Sequence, residues 1–471
     1  MHLGWPDPLR ARTRRRYDAA HFRRARENSR LPELPGGDRM QRLFRLSALL
    51  AALLLILAAC SSNTGGSSPS GSAASSGDPT AVCAADKFGC VKVASGDKIE
   101  IATALTITGS TSSLGLDSVT GVQVAIKDRG QVAGHDVDLK STDAGCSNAQ
   151  DGQTDAQSLV ADPQIVAVIG TSCSRTAVPA MPVLAAQGYL MISPSNTAPS
   201  LTDPSSKDFG GPFYMRTAYN DKVQGAAVAK FACEVLTVKT AATIHDGSPY
   251  AQQLQQVFAD QFKSQCGGTI TAQEAIHVGD KDFHPVLTTI GAAKPEALFF
   301  PIFDPEAPLI VQQSRDIPGL ANTKLISADG AKDDTFISSA GPLAQSLGMY
   351  FSGPDLNFGS TYTDKFLPEY KQIAGKDPTS VYHAHAYDAA NIIFDAIEHV
   401  GLKDSSGTLY IPRTALKDYA RGVKDYKGLT GTLTCDPNGD CGASFVSIAQ
   451  LKPDASGKLA FQQVYTTRSA S

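Results

Sequence analysis

The residues of this 471-residue chain that could do chemistry are nine cysteines and a few clusters of acids and histidines. The cysteines are Cys60, Cys83, Cys90, Cys146, Cys173, Cys233, Cys266, Cys435 and Cys441, with no C-x-x-C or H-x-x-x-H spacing to prepare a metal site. His383 and His385 alternate, which is the wrong spacing for two ligands on one helix face. Asp280, Asp282 and His284 cluster at a predicted helix start, where capping is their expected work. Asp436, Asn438 and Asp440 alternate as in a calcium loop, but Pro437 and the short Cys435–Cys441 span point to a bridged hairpin turn. No G-x-S-x-G, Walker loop, G-x-G-x-x-G run or H-E-x-x-H pair is present. No enzyme activity, cofactor or metal is therefore expected.

Composition narrows the class. Hydrophobic residues make up 42% and charged residues 19%, as in globular proteins, and the length suits two or three domains. The net charge of -4 hides two unlike parts. Residues 1–59 carry 12 Arg, no Lys and five acids, whereas from Cys60 onward 30 bases face 41 acids. An acidic body, in a chain with a single Trp, is not built for nucleic acid.

Arg42 and Arg45 precede an apolar run of 14 residues, 46–59, too short to span a bilayer comfortably. Leu57-Ala58-Ala59-Cys60-Ser61 then resembles the lipobox of a bacterial lipoprotein signal. That resemblance implies cleavage before Cys60, acylation of its thiol and new N-terminus, and a stable membrane anchor. Residues 1–39 fit poorly ahead of such a signal, so translation is expected to begin at Met40. Residues 61–80, mostly Ser, Gly, Ala and Pro, read as a flexible tether. With Cys60 assigned to lipid, eight cysteines remain, an even number that outside the cytosol implies disulfides. Chain order suggests that Cys83 pairs with Cys90, Cys146 with Cys173, Cys233 with Cys266, and Cys435 with Cys441.

From residue 98 apolar runs alternate with helical stretches. Strands are predicted at 99–106, 137–142, 165–170 and 190–193, with helices at 119–128, 149–161 and 177–187. The rhythm restarts with helices at 221–236, 250–265, 283–293 and 306–315 and strands at 240–245, 269–277, 297–301 and 324–327. This predicts an α/β fold of two parallel, doubly wound lobes. The tail is mixed, with helices at 361–374, 380–400 and 414–422 and strands at 431–434, 444–450 and 459–465. Ligands of such sheets sit beyond the carboxyl ends of the strands, so a cleft between the lobes is the expected site.

Several segments then follow in a recognisable order. They are Gly109 to Gly115 with Thr120-Gly121-Val122, then Ile169-Gly170-Thr171-Ser172-Cys173-Ser174, then Met191-Ile192-Ser193-Pro194-Ser195-Asn196-Thr197. Met215-Arg216-Thr217-Ala218, Ile244-His245-Asp246 with Tyr250, and Gly279-Asp280-Lys281-Asp282-Phe283 complete the order. Over about 98–466 the chain resembles the type I periplasmic substrate-binding proteins of ABC importers, in their branched-chain amino-acid (Leu/Ile/Val) group. The resemblance implies two Rossmann-like lobes joined by a three-crossing hinge, with crossings near 217–221, 346–353 and 430–436. It divides the chain into a leader (1–59), a lipidated Cys and tether (60–97), lobe 1 (98–218 plus 350–432) and lobe 2 (219–349 plus 433–468). A bridge between Cys146 and Cys173 belongs to the same pattern.

An amino acid presents a carboxylate, an ammonium and a side chain. Ser174 opens a helix after a strand, so its N–H and hydroxyl suit the carboxylate. By resemblance, Ser195, Asn196 and Thr197 form the second donor loop. Asp329, in Ser327-Ala328-Asp329-Gly330, matches an acid that takes the ammonium, one methylene shorter than the glutamate common there. Tyr250 and Phe303 match aromatic walls of lobe 2, and Leu114 a bulky wall of lobe 1. Arg175 and Asn196 depart from the small residues usual at their positions, and Arg175 is expected to pair with a second ligand carboxylate or to face solvent.

The resemblance thus implies a monomeric, lipid-anchored receptor outside the cytoplasm. It would capture a small polar solute, a branched-chain amino acid first of all, and deliver it to an ABC permease with its ATPase. The same fold also serves sensors that signal to a membrane partner, and receptors for amides, urea or aromatic acids.

Overall fold

The computed structural model describes residues 78–468. The leader, Cys60 and the first part of the expected tether lie outside the described residues. Among the described residues no helix is long and apolar enough to cross a membrane.

Two sheets organise the chain. The six-stranded one runs Gln131–Val132, His135–Asp143, Ile99–Leu105, Ile165–Gly170, Leu190–Ser193, Tyr214–Arg216 in spatial order. All its pairings are parallel except the edge pair of Gln131–Val132 with His135–Asp143. Ile165–Gly170 and Leu190–Ser193 are buried at every position, as parallel strands covered on both faces must be. Helices Ser112–Arg129 and His383–Val400 cross closely, and Gly121 permits it. A Cβ there would stand 2.1 Å from the His383 carbonyl oxygen.

The seven-stranded sheet runs Leu459–Thr466, Val446–Pro453, Tyr350–Pro354, Lys324–Ser327, Ala297–Phe299, Thr240–His245, Thr269–Ala275. Its last five strands are parallel to one another, and the first two add on antiparallel. Each sheet has its own apolar core.

Three expected boundaries shift. Tyr350–Pro354, assigned to lobe 1 with 350–432, is hydrogen-bonded between Lys324–Ser327 and Val446–Pro453 in the seven-stranded sheet, so the chain leaves that sheet only after Pro354. The Cys435–Cys441 hairpin, assigned to lobe 2 with 433–468, belongs with the six-stranded sheet. The Arg216 N–H donates to the Gly439 carbonyl, the Cys441 N–H donates to the Arg216 carbonyl, and both cysteines lie in that sheet's core. The expected tether 60–97 also ends early. Helix Pro79–Ala85 and strand Cys90–Val93 are folded, with Val91 and Val93 buried and the strand antiparallel to Leu409–Pro412.

Four disulfides follow the pairing that chain order suggested. Cys83, in the helix Pro79–Ala85, is bonded to Cys90 at the start of the next strand. Cys146 is bonded to Cys173, and Cys435 to Cys441. Cys233 is bonded to Cys266, the last residue of the helix Pro249–Cys266, and both pack against the core beneath the seven-stranded sheet.

Candidate ligand-binding site

Three chain segments reach the carboxyl end of the six-stranded sheet. Ile165–Gly170 runs into Thr171-Ser172-Cys173 and the helix Ser174–Ala186, and Leu190–Ser193 into the loop of Ser195 to Thr197. Tyr214–Arg216 crosses through Thr217 to Asn220 into the helix Asp221–Lys230 of the second lobe. Loop and first-turn N–H groups are the unpaired donors of such an edge. The Cys146–Cys173 bridge ties the first segment to the end of strand His135–Asp143.

Arg216 fixes the second segment. It is fully buried, and Nη1 donates to the carbonyls of Asn196 (3.0 Å) and Ala198 (2.9 Å). Nη2 donates to the Thr202 hydroxyl at 2.7 Å and Nε to the Asp440 carboxylate at 2.5 Å. A buried guanidinium is tolerable only when its donors are satisfied, so this fan of bonds holds the Asn196–Ala198 backbone in one place.

Within that frame the Thr197 carbonyl accepts the Asp221 N–H at 2.9 Å. The Thr197 hydroxyl and both Asp221 carboxylate oxygens are buried and take no hydrogen bond among the described residues. Leaving a buried polar group unpaired costs about 1–3 kcal/mol, more when it is charged. Burial pushes the Asp221 carboxyl well above the ordinary range and Asp329 adds to the push, while Thr197 and Arg216 pull the other way.

Asp329 follows strand Lys324–Ser327 at the carboxyl end of the other sheet. Its Oδ1 accepts from Gln224 Nε2 (2.7 Å) and the Tyr250 hydroxyl (3.0 Å), and its Oδ2 from the Tyr382 hydroxyl (3.1 Å). It is therefore a buried, braced acid and not a solvated turn residue. Burial raises its carboxyl, and those hydrogen bonds oppose the rise. An apolar wall stands beside it, where Leu114, Val381 and Tyr382 meet Phe303 and the Cys146–Cys173 bridge. The Phe303 and Tyr250 rings lie 5.1 Å apart.

The lobes touch around this centre. Ser110 Oγ donates to the Asp304 carbonyl (2.8 Å), and Ser113 Oγ to the Asp333 carboxylate (2.6 Å). Ser200 and Gln253 exchange bonds of 2.8 and 2.7 Å. Arg175 Nη2 donates to the Asp246 carbonyl (3.1 Å) and lies 3.6 Å from its carboxylate.

The structure sorts the expected residues. Thr197, Tyr250 and Asp329 converge on Asp221, while Leu114 and Phe303 supply the wall. Ser174 Oγ accepts the Ala198 N–H (3.3 Å), and Ser195 Oγ donates to the Ser172 carbonyl (2.8 Å). Asn196 Nδ2 donates to the Thr171 carbonyl (2.9 Å). These three side chains are engaged in shaping the loops. Arg175 is neither solvent-facing nor free for a ligand carboxylate, because the opposite lobe holds it. His383 and His385 are buried packing residues, with His383 Nε2 2.7 Å from the Tyr362 hydroxyl.

Sequence reasoning missed Asp221, Gln224 and Tyr382. A signal for the first two was present: Asp221 and Gln224 lie three apart at a helix start, hence on one face. Among the described residues no three His, Cys, Asp or Glu side chains could hold a metal ion.

Two α/β lobes closed over polar groups that lack partners define a two-lobed binding protein. A family model described as periplasmic binding protein matches residues 98–457, and the chain belongs to that family. It is 29% identical over 350 residues to a Leu/Ile/Val-binding protein of Rhizobium johnstonii, covering 71% of this chain and 86% of the relative. It is 26% identical over 347 residues to a leucine-, isoleucine-, valine-, threonine- and alanine-binding protein of Pseudomonas aeruginosa, covering 73% and 87%. The solved structure of a leucine-binding protein from Thermotoga maritima is 26% identical, with a TM-score of 0.67 over 77% of this chain and 97% of that one. These relatives are named as binding proteins, which supports a non-enzymatic role.

Proposed function

We propose that the protein captures a free amino acid of the branched-chain type between its lobes and delivers it to an ABC permease. The observation that carries this reading is the buried, unpartnered set of the Thr197 hydroxyl and the Asp221 carboxylate at the lobe junction. An α-amino acid supplies the missing partners. Its carboxylate meets the Thr197 hydroxyl and the first-turn donors at Ser174, its ammonium meets Asp221 with Asp329 behind, and its side chain lies on Leu114 and Phe303. Only the closed form touches the ligand from both sides, so binding favours closure. The reading places the protein outside the cytoplasm, as a monomer held to the membrane by acyl chains on Cys60. Four disulfides support an oxidising compartment.

Calorimetry with leucine, isoleucine and valine, and with 4-methylpentanoate as leucine lacking its ammonium, tests the reading. Tight binding of the amino acids, with at least about a tenfold loss for the desamino acid, is expected. Equal binding of leucine and 4-methylpentanoate would remove the ammonium site, and no binding of any of the three amino acids would sink the proposal.

A further inference from the structure

A separate cavity of about 310 Å³ opens at the lobe boundary beside the second crossing. Lys332 and Ile337 line it from the seven-stranded lobe, and Ser380 and Val381 from the other. Thr197, Asp221, Tyr250 and Phe303 are not among its walls.

Two residues of its wall carry side-chain donors without partners. Lys332 is only 5% exposed, yet its Nζ makes no hydrogen bond or ion pair among the described residues. Ser380 is 7% exposed, and its hydroxyl is buried with no partner. The carboxylates nearest Lys332 are occupied. Asp329 accepts three donors, and Asp355 accepts the Thr466 hydroxyl at 2.5 Å with Arg468 at 3.5 Å. Burial pushes the Lys332 ammonium down to about 8 against the pull of Asp329 and Asp355, so it is still mostly charged at neutral pH.

A cation and a hydroxyl from opposite lobes call for an anionic acceptor between them. The remaining wall includes Ile337, Val381 and Phe461, which suits an apolar body. At the rim the exposed Asp334 and Asp454 outnumber the one exposed cation, Lys458, and so disfavour a second negative charge. We propose that this cavity is a second ligand site for a small apolar monocarboxylate, its head held between Lys332 Nζ and Ser380 Oγ. A ligand there touches both lobes and favours their closed arrangement. The site stands independently of the amino-acid reading.

The test is calorimetric titration of the disulfide-bonded protein with propionate, butyrate and benzoate, repeated on Lys332→Met, Ser380→Ala and Thr197→Val. At least one acid should bind saturably to the parent protein, with Thr197→Val unchanged and the other two variants each weaker by about tenfold. Saturation by none of the three acids overturns the proposal. So does binding that survives Lys332→Met but is lost in Thr197→Val, which would place the acid in the main cleft. Lys332→Met removes a buried unpaired charge and should melt no lower than the parent. Should it not fold, Ser380→Ala, which loses one hydroxyl, carries the test alone.

Discussion

The amide of Asp221 donates to the carbonyl of Thr197 at 2.9 Å. That bond fastens the donor loop of one lobe to the first turn of a helix in the other. The polar side chains of the two residues are buried there, and neither is hydrogen-bonded to any other residue of the described chain. A carboxylate at a helix N-terminus is favoured by the dipole, yet here it is buried and crowded by a second carboxyl at Asp329. This buried carboxyl lies where the chain passes between lobes, and a cation brought there would favour its ionised form.

Asp221→Asn should weaken leucine binding by about 2–5 kcal/mol, because the ligand ammonium loses its buried counter-charge. The affinity for 4-methylpentanoate should hardly move. The empty variant should melt at or above the parent temperature, since an unpaired buried carboxyl is gone. Calorimetry and thermal melts on both ligands check this, and equal losses for both would free Asp221 from the role.

Binding should release protons. Burial keeps the empty site's Asp221 protonated to higher pH than an ordinary carboxyl, and a ligand ammonium favours the ionised form. The affinity therefore rises with pH from the ordinary carboxylate range upward, until the ligand's own ammonium deprotonates. The same raised carboxyl works against the empty protein, whose stability falls as pH rises through the folded-state value. Titrations in two buffers of different ionisation enthalpy measure the release. Identical heats and a flat affinity would contradict it.

Arg216→Met should cost about 3–5 kcal/mol of stability, because the Asn196 and Ala198 carbonyls lose their donor and Asp440 loses its cation, keeping only Thr202 and Asn220. Adding Asp440→Asn should recover part of that loss. Chemical denaturation of both single variants and the double variant closes the cycle, and strict additivity would show that the two residues are uncoupled.

Arg175→Ala should speed ligand dissociation several-fold while leaving association nearly unchanged. Its bond to Asp246 forms across the lobes and belongs to the closed form. Stopped-flow release of leucine reads the rate. A slower association at constant dissociation would show that Arg175 acts before closure.

Much of this was legible because parallel strands buried on both faces write themselves as unbroken apolar runs, as Ile165–Gly170 and Leu190–Ser193 do. Thr197, Tyr250 and Asp329 were reached through resemblance, since a Thr in a loop or an Asp before Gly carries little signal alone. Asp221 was hidden because an acid in a first turn reads as dipole complementation. Tyr382 bonds Asp329 from the far side of the cleft, a relation that only the folded chain creates. Tyr350–Pro354 escaped because Gly353 and Pro354 break the strand signature. Cys90–Val93 is too short to declare itself without its distant partner Leu409–Pro412.

That short strand decides which half of the molecule the N-terminal chain is joined to. The Asp86 carboxylate caps the helix at Thr414, and Cys90–Val93 is stitched to Leu409–Pro412, so the chain arriving from the N-terminal side is sewn to the six-stranded lobe. Any tension or fixed attachment upstream loads that half. A pull from upstream would reach the seven-stranded half, with Asp221, Tyr250 and Asp329, only through the segments that cross between the lobes.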